Sequence, residues 1–220
     1  MLLTCNEDYE NSNFSARVLY IMEITMSDQL GTEREVMPEF QPWPSIARLS
    51  REVICTEKLD GSNSSICITE AGNVYAGSRT RWITPQDDNF GFAKWVEANA
   101  EELKIELGVG HHFGEWYGQG IQRNYGLKDK KFALFNAVRW TDALRNLCQV
   151  VPILYQGVFD TVKIDEALED LRVNGSRMVP SFMKPEGLVC YHTKSNTMFK
   201  KTLDHNDLHK GSIKPLDPRA

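Results

Sequence analysis

The sequence predicts an α+β fold built from antiparallel sheets that are flanked by helices. Short apolar segments bounded by turn residues begin near residue 53, and they read "VICTEKL", "SSICITE" and "NVYAGSR". The tripeptide "AGN" joins the last two segments, its Asn73 being the first residue of the third, and this spacing is typical of a hairpin. Later segments repeat apolar residues every three to four positions, as amphipathic helices do. Strands and helices are therefore grouped rather than alternating one by one, which favours antiparallel sheets.

Each further element follows from its own pattern. A first helix is predicted over about 90–107, where Gly108 would end it, and a second over about 162–173, closed by Asn174 and Gly175. The remaining strands are predicted in the segments "HHFGEWYG", "KFALFNAVRW", "GLVCYHT" and "TMFKKTL". The sequence contains no internal repeat and no low-complexity tract, so these elements are expected to form one domain.

That domain is predicted to extend from 37 to 210, between an acidic N-terminal arm and a short C-terminal tail. The 220 residues are 41% hydrophobic, enough for the core of a single large domain. The arm, 1–36, carries seven acidic and two basic side chains, and three prolines follow it in "MPEFQPWPSI". The tail, 211–220, contains two prolines and no clear pattern.

Apolar runs and cysteines indicate the compartment. The longest apolar runs fall far short of the ~20 residues that span a bilayer, and no basic leader opens the chain. We therefore expect no membrane contact and an intracellular, cytoplasmic location, in a protein encoded by a cell or by a virus within it. Five cysteines are scattered without a C-x-x-C pair, which indicates buried free thiols rather than a disulfide framework or a zinc site.

The charge is distributed so that a local basic surface can exist despite a formal net charge of -5. The acidic arm accounts for this excess, and the other residues balance with 23 basic and 23 acidic side chains. Residues 123–145 hold six basic side chains against two acidic ones. Such a surface can bind phosphates, because each contact acts over roughly a Debye length. An ordinary solvated loop explains the same charges equally well.

The stretch "EKLDGSN", which begins at Glu57, places a lysine between an apolar strand and a tight turn. In that strand Val53, Cys55 and Glu57 would share one face. Lys58 would then point from the opposite face at the strand end, and Gly61 would permit the turn. This position can present an amine at the mouth of a pocket. A surface lysine before an Asp-Gly turn is nevertheless the commoner explanation of this stretch taken alone.

Six sequence stretches, which occur in a fixed order, favour a functional role for Lys58 over a surface lysine. They are "EKLDGSN" (57–63), "SRTRW" (78–82), "FGEWYG" (113–118), "FALFNA" (132–137), "EGLVCY" (186–191) and "MFKK" (198–201). In this order and spacing they resemble the nucleotidyltransferase motifs shared by ATP-dependent DNA ligases, RNA ligases and mRNA capping enzymes. The resemblance covers about 37–210. Asn63, after K-L-D-G-S, is similar to the RNA ligases, whereas DNA ligases usually have arginine there.

The resemblance implies a nucleotidyltransferase (ATP-grasp-like ligase) fold for 37–210. No C-terminal OB domain is expected, because only the ten residues 211–220 follow the predicted domain. The resemblance also implies an ATP-dependent enzyme in which Lys58 attacks the α-phosphate of ATP and forms a covalent lysyl-AMP. The AMP would then pass to a 5′-phosphate end, and a 3′-hydroxyl would displace it to seal the strand.

The same resemblance assigns roles to residues of the other motifs. Glu115 would bind the ribose, Phe135 would stack on adenine, and Glu186 would act through a divalent ion, Mg²⁺ or Mn²⁺. Glu186 forms the predicted catalytic set together with Lys58 and Lys200. Further contacts to the nucleotide are expected from Glu57, Asp60, Gly61, Asn63, Arg79, Lys200 and Lys201, with Arg81 as a second candidate beside Arg79.

Two departures from the family pattern concern Asn136 and the lysine pair. Asn136 replaces the aspartate that usually follows the stacking ring. The family usually has K-x-K where this sequence has Lys200 and Lys201 side by side. Adjacent residues of a strand point to opposite faces, so only one of these amines can face the phosphates. Lys200 is favoured, because Lys201 alternates with the apolar Phe199.

We therefore expect a monomeric RNA ligase that uses ATP and Mg²⁺. Its nucleic-acid partner would be RNA, including a nicked duplex or an RNA/DNA hybrid, held by the basic loops of the domain or with help from a partner protein. Three alternatives stay open: an ATP-dependent DNA ligase, a GTP-using capping enzyme, and a nucleotide- or RNA-binding module with the same fold. Lys58 argues against the last, since a pure binder needs no nucleophile.

Overall fold

The computed structural model describes residues 37–140 and 147–204. Contacts between residues divide the chain into two units, Met1–Pro44 and Ser45–Ala220. Of the first unit, residues 37–44 are described, and they are exposed and have no regular secondary structure. The predicted acidic arm, 1–36, and the predicted tail, 211–220, lie outside the described residues.

The second unit contains two sheets and three helices in its described part, which confirms the α+β prediction. The smaller sheet has the strand order β10-β9-β1-β8, and the larger has the order β4-β3-β2-β5-β6-β7. The strands are β1 (Glu52–Lys58), β2 (Ser62–Ile68), β3 (Val74–Gly77), β4 (Trp82–Ile83), β5 (Gly110–Gly118), β6 (Lys130–Leu134), β7 (Cys148–Val150), β8 (Ile153–Val158), β9 (Gly187–His192) and β10 (Thr197–Thr202). The helices are α1 (Phe92–Ala98), α2 (Ala100–Leu107) and α3 (Thr161–Asn174).

The smaller sheet buries one face beneath α3. Alternate residues of β1 are buried, as the sequence pattern predicts, and Lys58 is the last residue of the strand. Val53 and Cys55 pack with Ile164 and Leu171 of α3. Helix α3 begins after Asp160, whose carboxylate accepts hydrogen bonds from the first turn. The face of β1 that carries Lys58 is therefore turned away from this helix.

The larger sheet buries one face beneath α1 and α2. Phe92 of α1 lies 5.3 Å from Trp116 and 5.1 Å from Phe132, measured between ring centroids. All three rings are buried, so aromatic packing accounts for much of this core. The helices lie on the same side as Ile66 and Trp116, which leaves the opposite face of β2 and β5 for other contacts.

The structure corrects four details of the predicted elements. The helix predicted over 90–107 is two helices separated at Asn99, whose amide side chain donates to the Trp95 carbonyl. Strands β6 and β7 pair in parallel, so the larger sheet is not wholly antiparallel. Strand β6 ends at Leu134, whereas the predicted strand ran on to Trp140. Strands β4, β7 and β8 were not predicted; β4 and β7 are very short, and β8 lacks a clear alternation of burial.

The cysteine prediction is wrong for one pair. Cys55 and Cys190 form a disulfide with their Cα atoms 4.0 Å apart, because the antiparallel pairing of β1 and β9 places them directly opposite each other. Their separation of 135 residues gave no sign of this proximity. Cys148 is a free thiol, Cys67 forms no disulfide with another described residue, and Cys5 lies outside the described residues.

A third buried cluster supports the turn that follows β1. Leu59 packs there with Tyr117, Tyr125 and Val151, so the chain is anchored immediately after Lys58. In the part of the chain that the structure describes, no helix combines the length and apolarity needed to cross a bilayer.

Candidate active site

Lys58 lies at the end of β1, beside a buried carboxylate. Its Nζ is 2.7 Å from Oε2 of Glu186. The register explains this contact, since Lys58 pairs with Gly187 at the start of β9 and Glu186 directly precedes that strand. The side chain of Lys58 is 24% exposed and that of Glu186 is 4% exposed. The amine can therefore be reached from solvent, whereas the carboxylate lies beneath it.

Gly61 brings the turn after β1 against the larger sheet. Its N–H donates to Oε1 of Glu115 over 2.9 Å. A Cβ atom at this position would lie 2.4 Å from the carbonyl oxygen of Trp116, closer than real Cβ atoms approach backbone. The turn thus requires glycine for close approach to β5.

Glu115 is the acceptor at the centre of this arrangement. Strand β2 pairs Asn63 with Glu115, and the Asn63 amide donates to Oε2 of Glu115 over 2.7 Å. Burial raises the pKa of Glu115 to about 7, although the hydrogen bonds from Asn63 and Gly61 and the charge of Lys58 lower it. The charge of Glu186 raises this pKa further. Lys58 contacts Glu186 and the turn that follows it contacts Glu115, so the amine and both carboxylates belong to one site.

The two candidate stacking rings differ in burial. Phe132 is fully buried in the core, while Phe135 is 41% exposed. Ala133 pairs with Glu115, so Phe135, two residues further on, follows on the face of the sheet that carries Glu115. Asn136 accepts a hydrogen bond from the Arg139 N–H, which holds the turn after Phe135 without the family's aspartate.

Lys200 and Lys201 point to opposite faces of the smaller sheet. Lys200 pairs with Val189, which pairs in turn with Thr56, so Lys200 shares the face of Thr56 and Lys58. Lys201 lies on the face covered by α3 and forms an ion pair with Asp165 of that helix. The register thus supports Lys200 as the lysine at the phosphates, an assignment that stays a prediction.

Thr202 lies on the Lys58 face as well. It pairs with Gly187, opposite Lys58, and it occupies the position that the second lysine of a K-x-K pattern would take after Lys200. This site therefore has one lysine on β10 where the family pattern has two.

Glu57 and Asp60 are engaged in contacts that hold the site together. The carboxylate of Glu57 lies on the α3 face of β1 and accepts hydrogen bonds from the N–H groups of Arg177 and Met178, each over 2.8 Å. This side chain points away from the face of Lys58, so only its backbone can contact a nucleotide held there. Asp60 is 3.0 Å from Nε of Arg123.

Sequence reasoning assigned no individual role to Arg123, which it counted only as part of a basic segment. Besides Asp60, its guanidinium donates to the Lys184 carbonyl over 3.0 Å and to Asp204 over 3.2 Å. Arg123 therefore joins the turn after Lys58 to the segments on either side of β9 and β10. Tyr125 also holds the turn after Lys58, because its hydroxyl accepts a hydrogen bond from the Asp60 N–H over 2.8 Å. The local sequence around Arg123, "QRN", has no pattern that indicates this role.

Arg79 and Arg81 occupy the turn between β3 and β4. Both are exposed. Arg81 pairs with Asp87, one of its nitrogens lying 2.9 Å from Oδ1. Arg79 makes no hydrogen bond or ion pair with any other described residue, so its guanidinium is available to a ligand.

Glu186 is the residue best placed to hold a divalent cation. No group of three or more metal-ligating side chains occurs in 37–140 or 147–204. A single buried carboxylate nevertheless suits Mg²⁺, which keeps several waters and takes phosphate oxygens as further ligands. The donor set thus fits a cation that arrives with a nucleotide rather than a fully protein-bound ion.

Comparisons with known proteins agree with this architecture. A family model described as RNA ligase matches residues 51–203. A Naegleria gruberi RNA ligase mutant solved with ATP and Mn is similar with a TM-score of 0.51 and 19% identity, over 70% of this chain and 50% of that one. A second mutant of that ligase, with AMP and Mn, has a TM-score of 0.50 and 20% identity, over 69% and 49%.

These comparisons define the class of the protein. At such low identity the solved structures show the fold alone, and it is the fold of an RNA ligase nucleotidyltransferase domain. The family match covers more than half of the sequence, including every stretch from Lys58 to Lys200. The chain belongs to the RNA ligase family, whose members are ATP-dependent nucleotidyltransferases. It spans about half the length of the solved ligases that it matches.

Proposed function

We propose that this protein is an ATP-dependent RNA ligase that joins 3′-hydroxyl and 5′-phosphate ends through a lysyl-AMP intermediate. The observation that carries this proposal is the convergence of Lys58 with two buried carboxylates, Glu186 at 2.7 Å and Glu115 across the Gly61 turn. Membership of the RNA ligase family supports the same activity.

In the first step, Lys58 forms a bond to the α-phosphorus of ATP. Its neutral amine donates the nitrogen lone pair, the bond from that phosphorus to the bridging oxygen breaks, and pyrophosphate leaves with the bonding electrons. The surplus proton of the amine passes to solvent. Lys200, on the same face, would neutralise negative charge on the phosphates.

Recognition of the nucleoside would come from the larger sheet. Glu115 offers a buried carboxylate to the ribose hydroxyls, with Asn63 and Gly61 fixing its orientation. Phe135 offers a partly exposed ring to adenine. Arg79, whose guanidinium is available, suits a phosphate oxygen of the nucleotide or of the incoming strand.

Glu186 would hold Mg²⁺ or Mn²⁺ at the phosphates. When bound, the ion would supply neutralisation of the charge that develops on the phosphate oxygens. The residue is 3% exposed, so its carboxylate is fixed beside Lys58 rather than free to rotate in solvent.

Two further transfers complete the proposed reaction. An oxygen of the RNA 5′-phosphate attacks the lysyl-AMP phosphorus, the phosphorus–nitrogen bond breaks, and Lys58 regains a proton. The 3′-hydroxyl oxygen then attacks the activated 5′-phosphate, AMP leaves, and the hydroxyl proton is lost to solvent. Each transfer depends on positioning and charge neutralisation more than on covalent help from the protein.

A sealing assay tests the proposal. The protein, ATP and Mg²⁺ are incubated with 5′-phosphorylated RNA, and parallel reactions carry DNA at the 3′-hydroxyl end, at the 5′-phosphate end or at both. We expect joined RNA, no joining by Lys58→Arg, and no covalent labelling when GTP replaces ATP. Equal joining of all-DNA ends would favour a DNA ligase. Labelling by GTP alone would favour a capping enzyme, and neither joining nor labelling would leave a binding module.

A further inference from the structure

A row of exposed aromatic rings crosses the larger sheet beyond Phe135. We define this aromatic platform by four residues of β3, β4 and β5: Tyr75, Trp82, His111 and Phe113. Tyr75, Trp82 and Phe113 are 47%, 53% and 55% exposed, and His111 is exposed as well. Large rings are usually buried in a soluble domain, so four exposed together on one sheet face call for a physical explanation.

The strand register puts the platform on the face that carries Glu115. Ser65 pairs with both Phe113 and Gly77, and Gly77 pairs with Trp82. Cys67 likewise pairs with both His111 and Tyr75. Residues directly opposite each other share a face, and so do alternate residues along β5. The rings therefore extend the uncovered face of the sheet, away from the helices.

The rings of the platform are arranged as a continuous surface. The Trp82 and His111 rings lie 5.6 Å apart between centroids with 26° between their planes. Tyr75 lies 5.9 Å from Trp82, and Phe113 lies 4.2 Å from His111. Partial burial lowers the pKa of His111, so its imidazole is uncharged at neutral pH and behaves as a further flat ring.

The platform is continuous with the candidate nucleotide site. The Phe135 N–H donates to the Phe113 carbonyl over 3.0 Å, so the proposed adenine-stacking residue and the platform are neighbours on the sheet. Arg79 stands in the turn that leads into Trp82, and its guanidinium has no partner among the described residues. A cation beside exposed rings is the combination that single-stranded nucleic acid requires, with charge for the phosphates and rings for the bases.

We propose that the aromatic platform binds unpaired bases at the end of a single-stranded RNA substrate, with Arg79 meeting its backbone. Bases of a duplex are stacked on each other and cannot lie on protein rings, whereas unpaired bases can. The proposal rests on the proposed function for the identity of the substrate. It specifies that function further, because it favours single-stranded ends over a nicked duplex.

A binding measurement with matched variants tests the platform. Fluorescence anisotropy would give the dissociation constant of a labelled RNA of about ten nucleotides at fixed salt, single-stranded and as a duplex. Trp82→Ala and Phe113→Ala are each expected to weaken single-strand binding about fivefold or more, and Trp82→Phe to retain most of the affinity. Phe199→Ala is the control, because Phe199 has the same 55% exposure as Phe113 but belongs to the smaller sheet.

Covalent labelling by ATP separates this proposal from the proposed function. We expect Trp82→Ala to form lysyl-AMP as the unchanged protein does, because Trp82 is not among the residues proposed to hold ATP. Unchanged RNA affinity in both alanine variants, with labelling intact, would overturn the platform alone and would indicate a docking surface for protein. The platform proposal would also be overturned if duplex RNA bound as tightly as single-stranded RNA and lost affinity in the same variants. Loss of ATP labelling in Trp82→Ala would overturn it as well. If no form of the protein is labelled by ATP but RNA binding still depends on the platform, the proposed ligase activity is overturned and the platform proposal is not.

Discussion

The two sheets are built alike but present different chemistry. Each has one face covered by helices and an opposite face, without helices, that carries residues of the candidate site. The uncovered face of the smaller sheet carries the amines of Lys58 and Lys200. The uncovered face of the larger sheet carries the Glu115 carboxylate and exposed rings, among them Phe135. The two amines proposed to act at the phosphates thus come from one sheet, and the acceptor proposed for the ribose and the aromatic surface come from the other.

This difference matches the polarity of a nucleotide. The phosphates of ATP need positive charge and a nucleophile, while its ribose and base need an acceptor and a flat apolar surface. A fold that divides these tasks between two sheets can hold both ends of the molecule and place the α-phosphorus between them. We therefore expect changes on the smaller sheet to affect the chemical step, and changes on the larger sheet to affect recognition.

The largest expected effect separates the two adjacent lysines of β10. Lys200→Ala should slow lysyl-AMP formation by about a hundredfold, because it removes a charge at the proposed phosphate site. Lys201→Ala should change the rate by less than about threefold, since its exposed ion pair with Asp165 contributes little. Single-turnover labelling with ATP measures both rates. The reverse ranking would show that β10 presents Lys201 to the nucleotide.

Glu115 should make the stability of the domain depend on pH. In the unfolded chain the Glu115 carboxyl group loses its proton near pH 4.5, whereas in the folded chain burial raises its pKa to about 7. Between these values the folded state binds more protons than the unfolded state, so the free energy of unfolding falls as pH rises. Above pH 7 the loss is on the order of 3 kcal/mol.

Glu115→Gln should remove the fall in the free energy of unfolding between pH 4.5 and pH 7 that the Glu115 carboxyl group causes. Urea unfolding at pH 5 and pH 8 would show the variant gaining stability relative to the unchanged protein at the higher pH. Parallel pH profiles for the two proteins would contradict the burial of an ionisable carboxyl at this position.

The smallest effect on nucleotide use is expected at Phe135 of the "FALFNA" stretch, in contrast to its neighbour Phe132. Phe135→Ala should raise the KM for ATP about tenfold, since stacking on a base contributes about 1–3 kcal/mol, and should leave the thermal midpoint nearly unchanged. Phe132→Ala should instead destabilise the domain by about 3–5 kcal/mol, because Phe132 is fully buried. Thermal unfolding and ATP kinetics on both variants measure the contrast. A large stability loss in Phe135→Ala would assign that ring to the core.

Much of this arrangement could be predicted from the sequence, because strand periodicity is local. The alternation in "VICTEKL" predicted that Lys58 ends β1 opposite the buried face, and the structure confirms it. The family prediction is confirmed by the match over 51–203. The roles of Glu115, Phe135, Glu186 and Lys200 stay predictions, which the geometry supports by placing them on the two uncovered faces.

Features that depend on which strands pair could not be predicted. The Cys55–Cys190 disulfide requires β1 and β9 to be neighbours in a known register. Arg123 contacts Asp60 because the loop between β5 and β6 lies beside the turn after β1. Local sequence patterns do not indicate that proximity. The direction of the Glu57 carboxylate, toward the buried α3 face, was implied by the alternation of β1, but a family resemblance assigns contacts without separating side chain from backbone.

The central claim is that the Lys58 nitrogen bonds to the nucleotide. Peptide mass mapping after incubation with ATP and Mg²⁺ tests it most directly. The account predicts an added AMP on the peptide that contains Lys58 and on no other. An adduct on a different lysine, or an adduct that persists in Lys58→Arg, would contradict it.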